Sequence, residues 1–343
     1  TDVSDASGTL LFDVAGRRWS DEMLGALGIS RAWLPECFES PEVVAHVSRA
    51  AAAQTGLPPG IPVVAGAGDQ AAGAVGNSII RQGQASCVLG TSGVLFWSCD
   101  TPAHDREARL HSFCHAVPGR WHLMGVTLAA GGSLRWFRDT LCEIEKERAR
   151  LEGVDEYELI TALAEQAEPG CEGLIFLPYL SGERTPYSDP KARGAFIGLS
   201  LRHSKAHMAR SVLEGVALSL LDCMELAREI GVDTTRVYAS GGGARSALWR
   251  SILADCFAAE VARVGVDEGP AYGAAILASV GVRMFDCVDD ACRRLVKETG
   301  SAVNPCAERV GIYRRLHSLY RPLYSALRGF YERDAEFVSY ASG

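Results

Sequence analysis

Three glycine-bearing turns have the residue types of phosphate-binding loops. They are Gly66-Ala67-Gly68-Asp69, Gly90-Thr91-Ser92-Gly93 and Ser240-Gly241-Gly242-Gly243-Ala244, and each follows a short apolar run. Glycine has no Cβ, so backbone amides can approach an anion closely. Amides at a helix start also carry partial positive charge that suits phosphate oxygens. One such turn is common in ordinary loops, but three turns that carry a carboxylate and hydroxyls indicate a nucleotide site.

Asp69 is the candidate catalytic residue. It follows an apolar run and precedes a predicted helix of small residues. A carboxylate there could accept the proton of a substrate hydroxyl while a phosphoryl group is transferred. The alternative is that Asp69 only caps the helix, and spacing alone favours that alternative. The sequence has neither a P-loop pattern nor a dinucleotide-binding glycine fingerprint, so those two nucleotide sites are excluded.

Histidine and cysteine residues give little support for a metal site. The 11 cysteines include no Cys-x-x-Cys pair, and we predict no protein-built metal centre. His115 and His122 are expected to face each other across the turn Pro118-Gly119-Arg120 as a structural pair. For Glu183 and Arg184 the sequence leaves two readings open, a cleft-facing loop or a solvated ion pair.

Composition narrows the class of protein. The chain has 343 residues, a net charge of −8, 48% hydrophobic residues and 22% charged residues, as ordinary globular proteins do. It has no basic cluster, which argues against nucleic acid as a partner. The longest apolar stretch, Gly269–Val282, is too short to span a bilayer, and the polar stretch Thr1–Ser7 does not resemble a secretion signal. We therefore expect a cytoplasmic protein that binds no membrane and acts on small molecules.

Hydrophobic periodicity predicts short strands and helices in mixed order. The predicted strands are 61–65, 85–89, 94–98, 113–117, 121–126 and 236–240, and the predicted helices are 20–27, 41–55, 70–79, 131–141, 205–230 and 244–258. Strands joined by tight turns and followed by helices favour an α/β fold with a mixed sheet flanked by helices. The run Gly56-Leu57-Pro58-Pro59-Gly60 is the best candidate for a domain boundary.

The motifs and their order resemble those of the FGGY carbohydrate kinases. Gly66–Gly76 resembles the family's catalytic-aspartate segment, and Thr1–Asp13 resembles the end of its N-terminal domain. Ser240–Ser246 is similar to the adenosine-binding loop, and Glu268–Ala275 to the small-residue helix that follows it. The likeness runs from Thr1 to about Leu327, which is nearly the whole chain.

The resemblance implies an actin-like ATPase fold, in which two ribonuclease-H-like domains enclose a cleft. It implies Asp69 as the general base for a sugar hydroxyl, with Gln70 beside the sugar. The implied nucleotide contacts are Gly90, Thr91 and Gly93 for the β- and γ-phosphates, Gly131 and Arg135 for phosphate and ribose, and Gly242, Gly243, Ala244 and Ala247 for adenosine. ATP would carry Mg²⁺ between its phosphates. A valine at Gly243 would then strongly raise the Michaelis constant for ATP and leave the fold intact.

Within the family, three stretches are most similar to bacterial xylulokinases: His111–Ala116, Trp121–Met124 and Leu177–Pro186. The resemblance therefore implies ATP-dependent phosphorylation of D-xylulose to D-xylulose 5-phosphate. Glycerol, ribulose, gluconate and fuculose remain alternative substrates. A non-catalytic actin-like ATP-binding module remains an alternative of another class.

The family's first phosphate loop, an acidic residue followed by a Gly-Thr pair, has no counterpart in this sequence. We therefore expect residues 1–60 to close a sugar-binding domain whose larger part is absent. Residues 61–343 would form the nucleotide-binding domain with a C-terminal helix. Residues 1–343 alone are expected to bind ATP weakly and to leave sugar unphosphorylated. A homodimer is left open.

Overall fold

The computed structural model describes residues 1–264, 269–297 and 302–342. The strands in these ranges are β1 (Phe12–Asp13), β2 (Arg18–Trp19), β3 (Val43–His46), β4 (Pro62–Val64), β5 (Gln84–Leu89), β6 (Gly93–Cys99), β7 (His111–Cys114), β8 (Trp121–Thr127), β9 (Ile175–Leu177), β10 (Ala195–Ile197), β11 (Arg236–Ser240) and β12 (Glu260–Arg263). The α-helices are α1 (Val3–Ala6), α2 (Asp21–Leu27), α3 (Arg49–Thr55), α4 (Asp69–Gly76), α5 (Gly131–Leu141), α6 (Glu143–Glu152), α7 (Glu156–Ala164), α8 (Lys205–Glu229), α9 (Ala247–Phe257), α10 (Gly269–Gly281), α11 (Val288–Leu295) and α12 (Ala307–Ser342). None of the described helices is long and apolar enough to cross a membrane.

A six-stranded mixed sheet is the centre of the fold. Its strand order is β12-β11-β5-β6-β8-β7. β12, β11 and β5 run parallel, whereas β5, β6, β8 and β7 are joined by antiparallel pairings. The predicted α/β class with a mixed sheet and flanking helices is therefore confirmed.

The long helix α8 covers one face of this sheet. Its apolar stripe, which includes Val212, Val216 and Leu220, is fully buried in the main hydrophobic cluster. Tyr313 and Tyr320 of α12 belong to the same cluster, so α12 packs against the domain from outside. The sequence predicted α8 as 205–230, and the structure ends it at Glu229.

Three predicted elements were wrong in extent or in pairing. The strand predicted at 61–65 is β4, but it pairs with β3 in a separate two-stranded sheet and not with the main sheet. The helix predicted at 41–55 is β3 followed by α3, because Ser48 caps α3 with its hydroxyl and ends the preceding extended segment. The strand predicted at 113–117 is β7, which begins earlier, at His111, and ends at Cys114.

Helix starts were predicted more closely. The hydroxyl of Ser20 accepts the Met23 amide at the start of α2, as expected. The helix predicted at 244–258 begins later, at Ala247, where Ser246 accepts the Trp249 amide at 3.2 Å. Residues Gly242–Arg245 form a separate 3₁₀ turn. The predicted turn Pro118-Gly119-Arg120 is present, with Gly119 at φ +71°.

Helices α4 and α10 cross at very short range through glycine. A Cβ on Gly273 would overlap the carbonyl oxygen of Ala72, and a Cβ on Gly76 would overlap that of Gly269. Because backbone atoms occupy the space, only glycine fits at these two positions. Glu268, which the sequence placed at the start of this motif, lies outside the described residues.

Candidate functional site

Two of the glycine turns meet at one edge of the main sheet. β5 and β11 are parallel neighbours, so the turns that follow them emerge at the same edge. A Cβ on Gly241, whose φ is +82°, would lie 2.7 Å from the carbonyl oxygen of Leu89. The turn after β11 therefore rests directly on the end of β5. In open α/β sheets, ligands commonly bind outside such carboxyl ends.

The start of α5 closes the same edge. The Gly131 amide donates to the Gly90 oxygen at 2.7 Å, and the amides of Ala130 and Gly132 donate to the Thr91 oxygen at 2.9 and 3.0 Å. A Cβ on Gly131 would lie 2.5 Å from the Gly90 oxygen. These amides therefore hold the turn between β5 and β6 in place, and the exposed Thr91 is left at its tip.

The adenosine-loop residues differ sharply in exposure. Gly242 and Ala247 are exposed, and a Cβ on Gly242 would meet nothing within 4 Å. Ala244 is 1% exposed and belongs to the main core cluster. A Cβ on Gly243 would lie 2.8 Å from the ring of Trp249 and 2.9 Å from Leu89 Cβ. The expectation that a valine at Gly243 leaves the fold intact is thus wrong, because the side chain would enter the core.

Arg135 does not join this edge through any contact among the described residues. Its side chain on α5 is 67% exposed, and its ion-pair partner is Asp139 at 3.8 Å. The neighbouring Arg138 is more enclosed and binds Glu156 at 2.5 Å. Arg135 could turn toward a ligand only by leaving Asp139, and no contact among the described residues orients it toward the sheet edge.

Asp69 is the first residue of α4 and is exposed. Gly68 holds the N-cap position, and Asp69 Oδ1 accepts the amide of Gln70 at 2.7 Å. The turn before it needs Gly66 at φ +79°. Asp69 thus lies in the first helical turn, where its charge suits the helix dipole and its carboxylate also faces solvent.

Glu183 is a buried carboxyl beside the start of α5. It is 3% exposed, and Oε1 accepts the amides of Leu128 at 3.0 Å and Arg184 at 2.7 Å. Oε2 accepts the Ser219 hydroxyl at 3.4 Å. Burial raises the pKa of Glu183 from 4.5 to about 7. The solvated ion pair is therefore excluded, and sequence patterns alone gave no sign that the Leu128 amide was its partner.

His115 and His122 face each other as predicted, but the pair is not fully satisfied, because both ring nitrogens of His122 are buried without a hydrogen-bond partner among the described residues. Their ring centroids lie 6.0 Å apart at 89°, and both side chains are buried. Burial lowers the pKa of His115 to about 4 and that of His122 well below 6.5, so both rings are neutral near pH 7. Among the described residues, no group of three or more His, Cys, Asp or Glu side chains could hold a metal ion.

Comparison with known families agrees with the order of these motifs. The model of the C-terminal domain of the FGGY family of carbohydrate kinases matches residues 85–282. The model of the family's N-terminal domain matches residues 1–76. The chain belongs to the FGGY family of carbohydrate kinases.

Relatives of this FGGY chain include kinases for two kinds of sugar compound. The xylulose kinase of Escherichia coli (strain K12) is 40% identical over 95% of this chain and 65% of its own length. The gluconokinase of Bacillus subtilis (strain 168) is 34% identical over 98% of this chain and 65% of its own. A solved xylulose kinase from Rhodospirillum rubrum has a TM-score of 0.86 and 31% identity, over 97% of this chain and 65% of that one. The fold is therefore that of the actin-like FGGY kinases.

The chain spans about 65% of the length of the xylulose kinase from Escherichia coli. The activity and substrates of a whole FGGY kinase therefore remain proposals for this protein. The family-model match passes from the N-terminal to the C-terminal domain between residues 76 and 85.

Proposed function

We propose that this protein acts in the ATP-dependent phosphorylation of D-xylulose to D-xylulose 5-phosphate. The observation that supports this best is the junction of the β5 turn, the β11 turn and the start of α5 at one sheet edge. There, a Cβ on Gly242 would meet no atom of the described residues within 4 Å. The similarity to a xylulose kinase over 95% of the chain favours this sugar.

Gly90 and Thr91 would face the β- and γ-phosphates, and Gly93, which is buried at the start of β6, would support their turn. Gly131 and Arg135 would contact phosphate and ribose. Gly242, Gly243, Ala244 and Ala247 would line the adenosine pocket. Thr91, Gly242, Ala247 and the Arg135 side chain are exposed and could touch a ligand directly. Gly243 and Ala244 would shape the pocket from behind, since both pack against the core.

Asp69 would act as the general base for the attacking hydroxyl, with Gln70 beside the sugar. Its exposure leaves the carboxylate open to a substrate, and no pairing with a cation is described for it. Such a base typically contributes about 10² to 10⁴ in rate. The phosphates of ATP would carry Mg²⁺, which neutralises their charge during transfer. This chain's own part is to hold the nucleotide and to accept the proton at Asp69.

We propose that residues 1–60 end a sugar-binding domain and that residues 61–343 form the nucleotide-binding domain, whereas the match to the family's N-terminal model extends to residue 76. Phosphoryl transfer requires sugar and ATP to be held in line, and that positioning supplies much of the rate. Since about a third of the Escherichia coli relative has no counterpart in these residues, we expect residues 1–343 alone to bind Mg-ATP weakly and to show no sugar-dependent turnover.

A coupled ADP-release assay tests the proposal. The complete gene product that contains residues 1–343 should release ADP from Mg-ATP when D-xylulose is added. Residues 1–343 alone, measured beside it, should bind Mg-ATP in calorimetry and release no ADP in response to the sugar. A complete gene product that binds ATP but phosphorylates no sugar would support the non-catalytic module instead.

Gluconate is the second candidate substrate, because the Bacillus subtilis gluconokinase is 34% identical over 98% of the chain. The same assay separates the two sugars when D-xylulose, gluconate, ribulose, glycerol and fuculose are compared at equal concentration. The largest kcat/KM identifies the substrate. A higher kcat/KM with gluconate than with D-xylulose would show that D-xylulose is not the preferred substrate, and the proposed kinase activity would stand.

A further inference from the structure

The backbone immediately before Asp69 is held by a residue of α1, near the N-terminal end of the chain. The Gly68 amide donates to Ser4 Oγ at 3.0 Å, across 64 residues of sequence. Gly68 has no side chain of its own to cap α4. Ser4 is 5% exposed, so water competes little for this bond. The position of the first turn of α4 therefore depends on α1.

Ser4 is in turn fixed by Asp2. The Ser4 hydroxyl donates to Asp2 Oδ2, and the Ser4 amide donates to the same oxygen at 2.7 Å. Asp2 is 4% exposed and also accepts the Asp5 amide at 3.2 Å. Because an ionised carboxylate can only accept and an amide can only donate, the Ser4 proton points to Asp2 and its lone pair to Gly68. The chain Asp2–Ser4–Gly68 therefore has one direction, from the Gly68 amide through the Ser4 hydroxyl to Asp2 Oδ2.

The helix that carries these residues is itself anchored. The Val3 amide donates to the Phe38 oxygen at 3.0 Å, and the Phe38 amide donates to the Thr1 oxygen at 3.1 Å. Ser7 Oγ accepts the amide of Cys114, at the end of β7, at 3.0 Å. α1 is thus tied to the edge of the main sheet, and the position of Ser4 follows from that sheet.

We propose that Asp2 and Ser4 are positioning residues that set the orientation of the Asp69 carboxylate for proton transfer. This rests on the proposed function, in which Asp69 is the base. Asp69 Oδ1 accepts the amide of the adjacent Gln70. The direction in which the carboxylate points therefore follows from the backbone of Gly68 and Asp69. A base must lie within hydrogen-bond reach of the proton it removes, and a displacement of about 1 Å can cost on the order of 10² in rate.

Amide hydrogen exchange at Gly68 tests the hydrogen-bond chain without requiring activity. In residues 1–343, Ser4→Ala should accelerate exchange of the Gly68 amide about tenfold, because the amide loses its acceptor. Ser4→Thr keeps the hydroxyl and should restore protection. Ser7→Ala is the matched control, since Ser7 is also a buried serine of this segment that accepts a distant amide. Equal exchange at Gly68 in Ser4→Ala and Ser7→Ala would overturn the inference.

Asp2→Asn provides a second variant in case Ser4→Ala folds poorly. The amide keeps the shape of the carboxylate and weakens its hold on the Ser4 hydroxyl. We expect Gly68 exchange between that of the wild type and that of Ser4→Ala, with the thermal transition retained. Exchange at Gly68 unchanged in a folded Asp2→Asn protein would count against the chain.

Steady-state kinetics of the complete gene product tests the role in catalysis. Ser4→Ala should lower kcat about tenfold or more with the KM for ATP unchanged, and Ser4→Thr should recover most of the loss. In the Asp69→Asn background, Ser4→Ala should cause no further loss, because the base it positions is gone. If the wild type is active and Ser4→Ala leaves kcat unchanged, the inference is overturned and the proposed function stands. No sugar-dependent turnover in the wild type would overturn the proposed function.

Discussion

The nucleotide edge and the Asp69 turn are built in opposite ways. At the nucleotide edge, glycines let backbone pack on backbone, as where Gly131 rests on the Gly90 oxygen. At the Asp69 turn, the catalytic candidate is exposed and its backbone is held by a side chain from α1. Substitutions of the packed glycines in the first region should therefore alter folding as well as binding. Substitutions at the second should alter turnover with the fold kept.

The largest expected effect tests the Asp69 turn. Asp69→Asn in the complete gene product should lower kcat by about 10² to 10⁴ and leave ATP affinity nearly unchanged, because a base acts mainly in the transition state. Asp21→Asn is a matched control, since Asp21 is also the exposed first residue of a helix, α2. Steady-state kinetics and calorimetry measure the two effects. Similar turnover in both variants would mean that Asp69 only stabilises the start of α4 and is not the base.

The second effect concerns the packing behind the Asp69 turn. Gly273→Ala should lower the free energy of unfolding by about 3 kcal/mol, because its Cβ meets a backbone oxygen that cannot move aside. Gly329→Ala on α12, where nothing lies within 4 Å, should be neutral or stabilising by up to about 1 kcal/mol. Urea unfolding compares the two. Equal stability would mean that the α4–α10 crossing can relax.

The third effect tests Glu183 beside the nucleotide edge. Its folded-state pKa of about 7 exceeds its ordinary 4.5, so unfolding releases a proton between these pH values. Stability should therefore fall by about 3 kcal/mol as pH rises from 4.5 to 7, and it should stay lower above that range. Asp222 on α8 adds to the rise of this pKa.

Glu183→Gln should remove this part of the pH dependence, because the amide does not titrate. Unfolding of wild type and variant at a series of pH values isolates it, since Asp2 and His115 titrate equally in both. Parallel stability curves would show that Glu183 has the same pKa in the folded and unfolded protein, which would contradict the raised value.

The smallest effect separates binding from folding within one loop. Gly242→Val places its side chain in open space where adenosine is proposed, so the Kd for ATP should rise about tenfold with the melting temperature unchanged. Gly243→Val should lower the melting temperature because its side chain meets Trp249 and Leu89. Calorimetry and thermal unfolding distinguish them. Unchanged affinity in Gly242→Val would place adenosine elsewhere.

Local patterns predicted much of the fold. The helix predicted from the periodicity of α8, which is 25 residues long, and the strands predicted from the apolar runs of β5 and β6 are confirmed almost to the residue. Such segments are decided by burial that repeats with the helix or strand period. The prediction failed at β3 and β4, where Val43–His46 is mostly exposed and the pairing partner, not the pattern, decides the structure.

The sequence by itself determined the FGGY resemblance, the α/β class and the candidate residues, because glycine turns and helix caps are local signals. Tertiary structure alone decided which turns meet and what holds them. Gly68 and Ser4 are 64 residues apart, and Leu128 and Glu183 are 55 apart. Hydrogen bonds over such separations depend on how strands are ordered in the sheet. No local pattern encodes that order, so the partners of Gly68 and of Leu128 appear only in the folded chain.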